Sequence, residues 1–291
     1  MKRLFYIVNI FLFIHCGIRP RLLEKPVIEI QGHQGARAKF PGNTLPSFEY
    51  ALSKNIDVLE LDVVVSKDKK LVVSHDLFLE KEDCLSPEGR LLNEGIPIIT
   101  LNYDEIKKYD CGSITQKRFP NQKSIPKTSR PLLTDVIHLV KKSGKDKVKL
   151  NIETKISPGL EKWTVSPLEF SELLINVLKG ENFLDRVYFQ SFDYRTLTII
   201  KRLYPKAKLV ALFEGNLVDY AQTAIGIEAD TISPNYQWIT KEHVQKIRSM
   251  GIRVIPWTVN SKEEIQRMID MNVDGIISDD PDLVISILNR G

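Results

Sequence analysis

The 291-residue chain has only three cysteines, too few for a disulfide scaffold. Its most apolar stretch, residues 4–14, falls well short of the roughly 20 residues that a membrane-spanning helix needs, so a polytopic membrane protein is excluded. Neither sign of charge dominates. The 41 Lys and Arg against 37 Asp and Glu leave a net charge of +4, and no basic stripe carries interleaved aromatics, so no nucleic-acid partner is expected. The one basic run, Lys141-Lys142 with Lys145 and Lys147, is broken by Gly144 and Asp146 and reads as a solvated loop. Internal repeats and low-complexity linkers are absent, which excludes solenoids and long disordered regions. What remains is an ordinary globular composition on a chain long enough to bury a large core without staples.

The N-terminus is the exception. Lys2 and Arg3 precede the short apolar stretch, which is the pattern of a secretory signal. No Ala-x-Ala site follows. The stretch ends at Cys16-Gly17, an arrangement that resembles a bacterial lipoprotein signal, although His15 stands where that pattern has Gly, Ala or Ser. The expectation is therefore a signal over 1–15, lipidation at Cys16, and an exported protein anchored to a membrane in the periplasm or at the cell surface. Ordinary export, an uncleaved anchor and a buried N-terminal strand are the alternatives. Removal of 1–15 takes away Lys2 and Arg3 and lowers the net charge to about +2. Cys84 and Cys111 remain. Export would permit a bridge between them, but two free, partly buried thiols are the default, because a sequence does not show their separation.

From residue 27 onward a rhythm recurs: a short apolar run, a turn, an amphipathic helix. The runs are 27–31, 58–65, 148–153, 187–191, 208–213, 230–233, 253–258 and 275–278. Ser166-Pro167-Leu168-Glu169 and Ser261-x-x-Glu264 are capping boxes, Thr240 opens a helix that ends before Gly251, and Pro46 and Pro281 stand at helix starts. Eight strands alternating with helices predict an α/β fold, a (β/α)8 TIM barrel over 27–291. One run does not count towards the eight. Residues 71–75 follow the second strand after only five residues, too few for a parallel crossover, so 58–75 is expected to be a hairpin pivoting about Asp68. That pairing sets residue 75 opposite residue 61. Residues 77–131 lack the rhythm and are expected to form an inserted cap over the barrel mouth.

In such a barrel the C-terminal strand ends face the active site. His33 follows the first strand, and Glu60 and Asp62 share one face of the second. Glu153 and Lys155 end the third, Ser191 the fourth and Trp257 the seventh, while Asn235 follows the sixth. Two carboxylates on the inward face are costly unless a cation pairs them. Three converging carboxylates without a cysteine ligand point to one hard divalent ion, Ca2+ or Mg2+. Neutralisation by Lys155 and Arg37 as a structural network is the alternative. Of the five histidines, His15 belongs to the signal, and His138 and His243 lie on helical patterns as surface or packing residues. His33 and His75 flank the acidic pair and suit general acid and base roles.

Several ordered blocks then carry a resemblance. Gly32-His33-Gln34-Gly35-Ala36-Arg37, Pro41-Gly42-Asn43-Thr44-Leu45-Pro46-Ser47-Phe48, Leu59-Glu60-Leu61-Asp62-Val63 and Val73-Ser74-His75-Asp76 resemble the glycerophosphodiester phosphodiesterase family. So do Ile152-Glu153-Thr154-Lys155, Gln190-Ser191-Phe192-Asp193, Trp257-Thr258-Val259-Asn260 and Asp274-Gly275-Ile276-Ile277-Ser278-Asp279. The resemblance implies a TIM barrel that hydrolyses glycerophosphodiesters, such as glycerophosphocholine, to glycerol 3-phosphate and an alcohol. It implies His33 and His75 as the acid/base pair and Glu60, Asp62 and Glu153 as metal ligands. Gln34, Arg37, Lys155 and Trp257 would meet the phosphate or substrate. Two positions depart from the family pattern: Gln34 stands where Arg is usual, and Gly42 where Glu is usual. Lysophospholipase D-like action on lysophospholipids is a second reading. A surface-displayed binding protein that has lost catalysis is a third.

Overall fold

The computed structural model describes residues 25–215 and 219–290. The signal-like segment 1–15 and Cys16 lie outside the described residues. The strands are β1 (Glu29–Gly32), β2 (Val58–Val65), β3 (Leu71–Val73), β4 (Phe78–Leu79), β5 (Ile96–Pro97), β6 (Lys149–Thr154), β7 (Val187–Ser191), β8 (Lys208–Phe213), β9 (Thr231–Pro234), β10 (Arg253–Val254) and β11 (Gly275–Ser278). Eight of them run in the order β10-β9-β8-β7-β6-β2-β1-β11, all neighbours parallel. Backbone bonds from Asp274 N to Val254 O, Ile277 N to Pro256 O and Val259 N to Ile277 O close the seam between β10 and β11. The result is the expected (β/α)8 barrel.

The helices are α1 (Leu45–Leu52), α2 (Tyr103–Ile106), α3 (Leu133–Lys142), α4 (Pro167–Gly180), α5 (Tyr194–Leu203), α6 (Tyr220–Gly226), α7 (Lys241–Ser249), α8 (Lys262–Asp270) and α9 (Pro281–Ile287). Their starts follow the local chemistry. Ser166, Thr240 and Ser261 each accept a hydrogen bond from the backbone N–H three residues on, satisfying a donor that the helix itself cannot. Gly251, at φ 79°, takes the left-handed conformation that lets the chain leave α7 for β10. Among the described residues no helix is long and apolar enough to cross a membrane.

β2 shows how the sequence sets the core. Its period of two sends Leu59, Leu61, Val63 and Val65 into the layer between sheet and helices, each buried. Full burial of such a side chain is worth roughly 1.5–3 kcal/mol. Val58 joins Tyr188 and Val210 in a small separate cluster. Glu60 and Asp62 lie between Val58 and Val64 on the other face. The hairpin register pairs Val63 with Val73 and Val65 with Leu71, the expected pivot about Asp68. A bond from Ser74 N to Asp62 O carries the return strand to the level of the carboxylates.

The segment 77–131 forms the two-stranded β4-β5 sheet, the short helix α2 and a satellite core of Leu79, Ile98 and Ile106 packed on Val64 and Val72. Here one expectation is corrected. Cys84 and Cys111 are not free thiols but a disulfide, with S–S 2.02 Å. The cause is a contact remote in sequence. Leu85 and Asp110 exchange backbone hydrogen bonds as an antiparallel bridge, so the next facing pair is Cys84 and Cys111.

Candidate active site

The parallel pairing of β2 and β6 sets Asp62 beside Glu153, and the strand alternation sets Glu60 on the same face. One oxygen from each of the three carboxylates lies within 4.8 Å of the others. Glu60 accepts from Gln34 N at 3.0 Å and from Gln190 Nε2 at 3.0 Å. Asp62 accepts from Asn43 Nδ2 at 2.8 Å. Lys155 Nζ donates to Glu153 Oε1 at 2.8 Å and stands 3.7 Å from Asp62 Oδ1.

Burial and the charges of Asp62 and Glu153 push the Glu60 carboxyl well above the usual range. Burial pushes Glu153 up to about 7, against the opposing pull of Lys155. Burial also raises Asp62, but Lys155, the two histidines and Asn43 outweigh it and bring that carboxyl to about 2. Lys155 has the reverse balance: burial lowers it, and the Glu153 and Asp62 charges hold it above its ordinary value. One ammonium does not neutralise three buried carboxylates. Asp62 Oδ1, buried, has no hydrogen-bond partner. An all-oxygen donor set with an orphaned carboxylate oxygen fits a hard divalent cation. The purely structural network of Lys155 and Arg37 is not formed, because Arg37 pairs with none of the three carboxylates.

Glu60 also heads a column of hydrogen bonds running down the barrel interior. Gln190 joins Glu60 to Asn151, whose Nδ2 donates to Gln190 Oε1 and to Gln31 Oε1. Gln31 Nε2 donates to Glu29, which accepts from Tyr188 Oη.

His33 follows β1. Its Nδ1 lies 2.6 Å from Asp279 Oδ1, which aims Nε2 at Glu60, 4.0 Å from Oε2. Asp279 is held in turn by Asn260, whose Nδ2 donates to Oδ2 and whose Oδ1 accepts from Asp279 N. Burial raises the Asp279 carboxyl, but the His33 charge and hydrogen bond outweigh it and keep it below the usual range. His75 is more open, its side chain 45% exposed, with Nδ1 3.0 Å from Asp76 Oδ1. Burial lowers its pKa, and Asp76 and Asp62 reverse that, leaving it raised.

His33, His75, Glu60 and Glu153 line a cavity of about 450 Å³ together with Arg37, Lys155, Gln190 and Trp257. Trp257 is anchored by Nε1 on Ser233 O and meets the Phe192 ring edge-on at 5.5 Å. Gln34 differs from the rest. Its backbone N–H reaches the site, while its side chain enters a small neighbouring void beside Gly42 and Arg130. A Cβ at residue 42 would lie 2.5 Å from Gln34 Oε1 and 3.0 Å from Arg37 Cγ, so the two departures from the family pattern share one space. Ser191 and Asn235 do not join the cavity. Ser191 is buried against Thr154, and Asn235 accepts from Gln237 N in its own loop. His138 and His243 keep the expected peripheral places, on Glu181 and at the start of α7.

Asp279, Asn260, Gln190 and Arg118 are the site residues that the sequence reading left without a role. A signal existed for Asp279: it follows the last strand, as His33 follows the first, and barrel closure pairs Gly32 with Ser278.

The profile of the glycerophosphoryl diester phosphodiesterase family matches residues 33–283. The chain belongs to that family. It is accordingly an enzyme, a phosphoric diester hydrolase. It is 32% identical over 263 residues to a glycerophosphodiester phosphodiesterase of Caldanaerobacter subterraneus, covering 89% of this chain and 97% of the relative. Among solved structures it is similar to a Silicibacter pomeroyi protein with a TM-score of 0.86 at 26% identity, covering 91% and 94% of the two chains. An Oleispira antarctica phosphodiesterase, solved with the product sn-glycerol-3-phosphate, shares the fold at TM-score 0.75 and 22% identity, covering 90% and 96%. The blocks that carry the resemblance in the sequence are the ones the barrel gathers around the acidic triad.

Proposed function

We propose that the protein hydrolyses glycerophosphodiesters, glycerophosphocholine among them, to glycerol 3-phosphate and an alcohol, with one Ca2+ or Mg2+ held by Glu60, Asp62 and Glu153. The observation that carries this reading is the buried carboxylate triad with its orphaned Asp62 oxygen, set between His33 and His75. When bound, the cation supplies charge neutralisation at a phosphate oxygen and lowers the pKa of a nearby hydroxyl. The chain does the rest. One histidine takes the proton of the attacking hydroxyl and the other gives a proton to the departing alkoxide. Attack by water gives glycerol 3-phosphate directly, whereas attack by the glycerol 2-hydroxyl leaves a cyclic glycerophosphate that water then opens with the two histidine roles exchanged. Each such transfer is worth roughly 10²–10⁴-fold in rate. Asp279 and Asn260 hold the His33 ring, and Lys155 keeps a positive charge beside the phosphate. Trp257 walls the cavity, and the segment 77–131 caps its mouth. Purified protein is expected to release glycerol 3-phosphate from glycerophosphocholine when Ca2+ or Mg2+ is added. Equal release in excess chelator, or from His33→Ala, refutes the reading.

A second substrate reading has its own support. An apolar cavity lined by Leu77, Phe78, Ile156, Leu160 and Phe192 shares His75, Glu153 and Lys155 with the main one. An acyl chain there would permit lysophospholipase D-like cleavage. Turnover of lysophosphatidylcholine at a rate comparable with glycerophosphocholine supports it, and none refutes it. We further propose export and membrane anchoring through Cys16. Labelled palmitate is expected in the wild-type protein and absent after Cys16→Ser, and equal labelling of both refutes the anchor.

A further inference from the structure

Two arginines line the active-site cavity, and none of the carboxylates that line it with them, Glu60, Glu153 and Glu214, forms an ion pair with either. Arg37 comes from the loop after β1, and Arg118 from the inserted segment. Both donate to one acceptor: Arg37 Nη2 and Arg118 Nε lie 3.3 and 2.9 Å from Gln116 Oε1. Gln116 is itself pinned, its N donating to Gln122 Oε1 and its Nε2 to Asp83 Oδ1. The Phe119 ring lies 5.7 Å from one guanidinium carbon and 5.0 Å from the other. Among the described residues no carboxylate oxygen comes within 4.0 Å of either guanidinium. The acids that act on Arg118 from further away are already engaged, Asp279 by His33 and Asn260, Asp83 by Arg130 and Gln116. Arg37 Nε is buried and has no partner.

Two like charges fixed side by side repel, although solvent around the exposed Arg118 screens part of that cost. A bound anion with at least two acceptor oxygens relieves the repulsion and matches the planar forks. On the reading above the reacting phosphate takes other partners, since Lys155 and the histidines gather at the carboxylate triad that would hold the cation, and neither arginine pairs with any of the three carboxylates. We infer that Arg37 and Arg118 form an anion subsite for a second negative group on the alcohol half of the diester. The enzyme then favours substrates whose leaving alcohol carries a phosphate or carboxylate. The inference rests on the phosphodiesterase reading above.

A matched pair of diesters tests it: glycerophosphoglycerol, and the same compound with a phosphate on its terminal hydroxyl. The expected kcat/KM ratio favours the phosphorylated diester by roughly tenfold at low salt and shrinks as salt rises. Arg118→Gln is expected to bring the ratio below about threefold, and Arg118→Lys to retain part of it. Calorimetry on metal-free protein is expected to give the same order of affinities. A wild-type ratio near one, or one unchanged by Arg118→Gln, overturns the inference. So does an equal slowing of both diesters, which would assign Arg118 to the reacting phosphate. If neither diester turns over, the phosphodiesterase reading fails, and the calorimetric preference alone decides the subsite.

Discussion

Replacing Asp279 by Asn is the sharpest test of the catalytic geometry. The change keeps shape and volume, and the surroundings dictate how the new amide sits. Asn260 Nδ2 donates to Oδ2 at 2.8 Å, so the amide oxygen must face Asn260. That turns the new NH2 group towards His33 Nδ1, where a carboxylate oxygen stood at 2.6 Å. Nδ1 must then accept rather than donate, and the ring proton moves to Nε2, the nitrogen that faces Glu60 and the cavity. As a base His33 then lacks a free Nε2, and as an acid it lacks the imidazolium charge that makes its Nε2 proton easy to give. A lost acid/base contribution costs roughly 10²–10⁴-fold, or about 2.7–5.5 kcal/mol of barrier. Asp279 is not one of the three clustered carboxylates, so divalent affinity should change little. The assay is kcat on glycerophosphocholine with saturating cation, alongside calorimetric cation binding and the melting temperature. Activity within about threefold of wild type refutes the tautomer argument. A fall in cation affinity that accounts for the lost rate places the effect on the metal instead.

Stability without cation should depend on pH through Glu153. Its folded pKa, about 7, lies above the ordinary value of 4.5, so between those values the folded chain holds a proton that the unfolded chain has released. Melting temperature in chelator should therefore fall as pH rises from 4.5 to 7, and added cation should restore more of it at pH 7.5 than at pH 5. A rise in chelated stability over that window counters this. Asp62, at about 2 in the folded state, contributes the opposite trend below pH 3.8, where its stabilisation is lost on acidification. Removal of the bridge by Cys84→Ala with Cys111→Ala should destabilise by about 3.5 kcal/mol in denaturant melts, from the closure entropy of its loop. A loss below about 1 kcal/mol refutes that estimate. Gly42→Ala should destabilise by roughly 1–3 kcal/mol, because the new methyl meets Gln34 and Arg37. Pairing it with Gln34→Ala should recover most of that, and no recovery means the crowding lies elsewhere.

The legible parts of the chain were those governed by local periodicity. The strand alternation of 58–65 placed Glu60 and Asp62 inward, and five residues between two apolar runs forced the hairpin that returns His75. Helix caps at Ser166, Thr240 and Ser261 were equally local. The clustering of the three carboxylates was legible too, because inward carboxylates on neighbouring strands must share one face, and their need for a counter-charge is what supports the proposed cation. The missed parts depend on contacts remote in sequence. The Cys84–Cys111 bridge requires the Leu85–Asp110 pairing, and Arg118 reaches the cavity only through the irregular packing of 77–131. Asp279 was within reach, since closure of any eight-stranded barrel makes its first and last strands neighbours.

The column from Glu60 through Gln190, Asn151 and Gln31 to Glu29 bears on attempts to make this protein hardier. Exchange of buried charged groups for well-packed apolar side chains is often neutral or stabilising. Here an exchange such as Gln31→Leu would remove an acceptor from Asn151 in a place water does not reach. Asn151 Oδ1 already lacks a partner, so the layer has little slack to reorganise. The disturbance would travel through Gln190 to the Glu60 carboxylate at the opposite end. With Glu60 in the proposed role, thermostability and turnover would depend on the same few amides, and stabilising substitutions are better sought in the helix layer than in the barrel's interior.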